Sequence, residues 1–109
     1  SVQTNVDTAY RYVKNEIAKA AAGAAASTTI TGDLNEGGKR NPMNQAADTA
    51  FVNTGTPNEG QVLVSGLATD ALPAVGNNVV VSVGTGTVIN ATDLPWVADY
   101  QSGVTIPVE

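Results

Sequence analysis

The apolar stripe that opens the chain constrains its fold more than any other feature. Val2, Val6, Ala9, Val13, Ile17, Ala20 and Ala24 fall within roughly 80° of one another on a wheel turning about 100° per residue. Asp7, Thr8, Arg11, Lys14, Asn15 and Lys19 fill the rest of the wheel. This spacing predicts an amphipathic helix from residue 2 to about residue 25, in a helical segment 1–26. A helix with one greasy face has to lay it on another layer of structure. The stripe is in phase from Val2 with no convincing start signal ahead of it. That pattern leads us to expect the lower half of a longer helix.

Composition narrows what the rest can do. One domain is expected for 109 residues, with room for a modest core. There is no cysteine, so neither a disulfide nor thiol chemistry is available. There is no histidine either, which removes the usual general base and the usual zinc ligand. Five basic residues against ten acidic ones argue against a nucleic-acid or anionic-membrane footprint. Charge is sparse and Thr, Asn, Gly, Ala and Val dominate, a composition suited to an extracellular surface. No enzyme is expected, because nothing brings two of the ten acids together in a cleft.

Beyond the helix the periodicity changes twice. Ser27-Thr28-Thr29 and Gly32 are expected to end the helix. Residues 31–59 show neither period and hold many turn formers, among them Gly37-Gly38, Asn41-Pro42 and Pro57-Asn58. A long irregular segment of this kind is expected to be functional surface, pinned to the core by Leu34, Met43 and Phe51. Residues 45–50 suit one helical turn. After Gly60 the chain reads as strand at Gln61–Ser65, Val79–Val83, Thr87–Asn90 and Val104–Val108. Gly84-Thr85-Gly86 suits a hairpin between the second and third, and Pro107 suits an edge strand. The predicted fold class is α+β: an N-terminal amphipathic helix packed on an antiparallel sheet of about four strands, with a long irregular αβ-loop, residues 27–59, between them and the sheet and C-terminal region over residues 60–109.

This layout resembles a type IV pilin or pilin-like subunit without its N-terminal hydrophobic helix half. The likeness rests on Tyr10-Arg11-Tyr12-Val13-Lys14-Asn15-Glu16-Ile17-Ala18-Lys19 running into Ala20-Ala21-Ala22-Gly23. It continues through Leu34-Asn35-Glu36-Gly37-Gly38, Asn41-Pro42-Met43-Asn44 and Gly60-Gln61-Val62-Leu63-Val64. The family's phenylalanine-led hydrophobic segment with its early glutamate would lie upstream of Ser1. The disulfide that closes the C-terminal region of many members has no counterpart here. The resemblance implies a filament subunit at the cell surface, anchored in the inner membrane before assembly. Its partners would be copies of itself, the pilus assembly machinery and the inner membrane, with no cofactor and no nucleic acid. A pseudopilin of a type II secretion system would share the fold. A secreted carbohydrate- or ligand-binding module is the alternative from another class.

Five residues are candidates for an interface. Tyr12 lies across the wheel from the stripe, whereas Tyr10 lies beside it and should be buried against the sheet. Lys39-Arg40 is the only adjacent basic pair, placed to meet acidic residues such as Glu36, Asp48 and Glu59 of a neighbouring copy. Trp96 and Tyr100 flank Asp99 and suit an interface anchor, a sugar platform or simple core packing. Asp33, Asn35 and Glu36 are spaced like the start of a calcium loop, but no downstream bidentate glutamate follows and a solvated turn fits better. Asn90-Ala91-Thr92 has the N-glycosylation pattern, which three residues match easily by chance.

Overall fold

At the near end of the first helix the Ser1 hydroxyl oxygen accepts the Thr4 N–H, 3.1 Å away. The computed structural model describes residues 1–90, 94 and 103–109. Helix α1, Val2–Ala21, buries Val6, Ala9 and Val13 completely, while Val2 and Ile17 are half-buried. Each buried valine contributes on the order of 1.5–3 kcal/mol relative to an exposed one. Ala20 and Ala24 are exposed, so the stripe outlasts the surface that covers it.

The helix also stops earlier than expected. Gly23 adopts φ +87°, Ala24 N–H donates to Lys19 C=O and Gly23 N–H donates to Ala20 C=O. These two bonds form a Schellman cap, which needs glycine at the left-handed position. The alanines beyond it have high helix propensity, yet the cap ends the helix ahead of them.

The chain then turns back beneath α1 as a short helix, α2, Ile30–Leu34, where the sequence suggested only irregular structure. Four strands follow: β1 Phe51–Val52, β2 Val62–Ser65, β3 Asn78–Val83 and β4 Val104–Pro107. They form one sheet in the order β1-β2-β3-β4. The β2–β3 and β3–β4 pairs are antiparallel, but β1 runs parallel to β2. The sheet is therefore mixed and mostly antiparallel, not wholly antiparallel as expected. The reason lies in residues 53–58. Asn53 is tied to Thr69 and Asp70, and Asn58 to Asp48. The chain between these anchors returns without pairing, and β2 starts again beside the beginning of β1.

Thr87–Asn90 is not a strand. With β3 already flanked by β2 and β4, no open edge is left beside it, and β-branched composition alone cannot supply one. Thr87 N–H instead closes a turn on Gly84 C=O, so Gly84-Thr85-Gly86 is a turn but not a hairpin. Of residues 45–50, expected as one helical turn, 45–47 form a turn that is not helix, and Thr49 instead bridges Arg40.

One face of the sheet carries the core. Val62, Val64, Val79, Val81, Val83 and Ile106 meet Val6, Ala9 and Val13 of α1, with Ile30, Leu34 and Phe51 closing the side nearest β1. Met43, expected to pin the loop, is 52% exposed. At the edge, Val108 N–H donates to Asn77 C=O. Alternation along the strand turns Thr105 and Pro107 away from β3, so the missing proline N–H leaves no ladder bond unmade.

Candidate interaction surface

The long connection between α1 and β2 is held by polar side chains, and that framework decides what it presents outward. Asp33 takes hydrogen bonds from the Tyr12 hydroxyl at 2.5 Å, Ser27 Oγ at 2.6 Å and Thr29 Oγ1 at 3.0 Å. These bonds from Ser27, Tyr12 and Thr29 hold its carboxyl below the usual carboxylate range. Burial and the Asp33 contact push the Tyr12 hydroxyl up to about 12. Tyr12 is thus half-buried under residues 27–33 and engaged within its own chain, not standing free on the solvent face. Tyr10 is also half-buried, with Lys14 Nζ 5.2 Å from its ring centroid.

Two more buried or half-buried groups fasten α1 and α2. Glu16, 5% exposed, accepts the Ser27 N–H at 2.7 Å and pairs with Lys19 at 3.1 Å. Asp70 accepts Thr31 N–H, Thr31 Oγ1, Gly32 N–H and Asn53 Nδ2. Burial works to raise its pKa, but those bonds outweigh it and leave the carboxyl below its ordinary value. Asp70 is aimed by Thr69, whose φ of 60° is unusual for a β-branched residue.

The basic pair is presented by a second set of amides. Lys39 C=O accepts Ala50 N–H, and Asn41 N–H donates to Asp48 C=O, so residues 39–41 run against 48–50. Asn41 is fully buried. Its Nδ2 donates to Asp48 and to Glu59 C=O, and its Oδ1 accepts Met43 N–H. The last bond is an Asx turn, for which Asn before Pro42 is well suited. Asn44 N–H closes the turn on Asn41 C=O. Lys39, Arg40 and Met43 are all exposed on this frame, and neither Lys39 nor Arg40 makes an ion pair among the described residues.

These elements lie at opposite ends of the strands. Residues 39–43 and 58–61 and the Gly84–Thr87 turn gather where β2 begins and β3 ends, since Gly60 N–H donates to Thr87 Oγ1 and Gln61 C=O accepts Gly84 N–H. The start of α1 lies there too, with Gln3 Oε1 accepting Asn90 N–H. At the other end, Gly76 and Asn77 pair with Val108. The end of α1 overhangs that region and leaves two shallow apolar grooves. One, about 300 Å³, runs between α1 and β4 past Tyr10, Ile17 and Pro107. The other, about 380 Å³, is lined by Ala21, Leu72, Pro73, Val75 and Val108. Ala21 and Glu109 border both.

Of the five candidates, Lys39 and Arg40 are therefore together and exposed, whereas Tyr12 lies against Asp33. Trp96 and Tyr100, with Ala91 and Thr92 of the glycosylation pattern, fall outside the described residues. The oxygens of Asp33 and Asn35 face protein donors. Among the described residues no three acidic side chains gather as a metal site would need. The amide framework of Asn35, Asn41, Asn53 and Asn58 was not foreseen as a framework. The signal was the density of Asn itself, read only as turns. No family model, no curated protein and no solved structure matches this chain.

Proposed function

We propose that this chain is the head domain of a subunit of an extracellular filament, organised like a type IV pilin and without catalytic activity. The observation that carries the reading is the way α1 is used. One face, Val6, Ala9 and Val13, is wholly buried on the sheet, while Arg11, Lys14, Asn15 and Ala18 on the other face are exposed. A helix held this rigidly along a head domain can act as the stalk that joins the head to a bundle of like helices. The buried side belongs to its own sheet and the open side is left for neighbours.

The carboxylates favour a structural role. Asp33, Asp48 and Asp70 each receive several donors from their own chain, and groups used in this way hold loops in place. On this reading an apolar continuation of α1 upstream of Ser1 sits in the inner membrane before assembly. It then packs with its copies along the filament axis, driven by apolar burial. The assembly machinery and further copies of the chain are the partners, and the head forms the cell-surface coat.

The coding sequence immediately upstream of Ser1 tests this. We expect a short basic leader, then an apolar run of about 20 residues with an early glutamate, long enough for a bilayer and in phase with Val6 and Val13. A secretory signal joined directly to Ser1 would contradict it and favour a free-standing secreted module.

A further inference from the structure

We draw no further inference here: the strongest candidate, the shallow apolar groove of about 380 Å³ between the end of α1 and residues 71–75, carries none because nothing in the structure shows what covers it.

Discussion

Asn35 and Phe51 are hydrogen-bonded twice. Asn35 Nδ2 donates to Phe51 C=O at 2.9 Å, and Phe51 N–H donates to Asn35 Oδ1 at 3.0 Å. The side-chain amide stands in for a neighbouring strand and covers the outer edge of β1. An unpaired edge would offer those same groups to another chain.

Replacing Asn35 with Ala leaves the Phe51 N–H unpaired beside the core and its C=O with the Thr49 hydroxyl alone. We expect a loss of about 1–3 kcal/mol, measured by urea unfolding. Asn35→Asp keeps the acceptor but sets a carboxylate against the Phe51 carbonyl. That variant should lose more at neutral pH and recover part of the loss when the carboxyl is protonated.

Stability should fall at both ends of the pH scale, for different residues. Asp33 and Asp70 are held below the ordinary carboxylate value, so between their folded and unfolded values the unfolded chain binds more protons. Their contribution is complete above about pH 5 and is lost as pH falls through the folded values. Tyr12 is raised to about 12, against about 10 when unfolded. Between those values the folded chain binds more protons, so stability declines as pH rises. Tyr12→Phe should flatten the alkaline arm of a Tm-against-pH profile, and Asp33→Asn the acid arm. Unchanged arms would show that these contacts do not persist in solution.

Helix α1 and strands β2, β3 and β4 were legible because each has a period that its surroundings do not fight. The Val2 to Ile17 stripe turns at about 3.6 residues, and the buried-to-open alternation in Val62–Ser65 and Asn78–Val83 follows the pleat. What escaped has no period. Phe51–Val52 is too short to alternate, and its parallel direction is set by distant anchors at Asn53 and Asn58. The early end of α1 was written in Gly23, but the alanines around it outweigh one glycine in any propensity sum. Tyr12 meets Asp33 because residues 27–33 fold over it, which a helical wheel cannot show. Lys39 and Arg40 were found because charge is rare here. Met43 is set by the Asx turn on Asn41, with its Cβ and Cγ lying over Gly60, a local arrangement that no periodicity encodes.

Gly84 and Gly37 separate two reasons for glycine. A Cβ on Gly84 would run into the backbone carbonyl of Asn58, which Asp48 and Gln61 hold in place. A Cβ on Gly37 meets nothing, although its φ is +82°. Gly37→Ala should cost about 1 kcal/mol for backbone strain. Gly84→Ala should cost about 3 kcal/mol through overpacking, and equal midpoints in urea would contradict the packing around Asn58.

Thr69 offers the reverse experiment. Among the described residues it is the one non-glycine with positive φ, at 60°, and its side chain is exposed. Asn tolerates that conformation far better than a β-branched residue. Thr69→Asn should raise stability by about 1 kcal/mol while Asp70 keeps its bonds to α2. A lower Tm would mean that the threonine side chain has a role its exposure does not reveal.

A helix that serves as a rigid stalk must not open independently of the sheet beneath it. Native-state hydrogen exchange, resolved by NMR for single amides, measures this directly. We predict that the amides of Val6, Ala9 and Val13 exchange with the same opening free energy as those of Val79 and Val81, as members of one cooperative unit. Exchange at those three helix positions much faster than at β3 would show α1 peeling from an intact sheet, and would contradict the account.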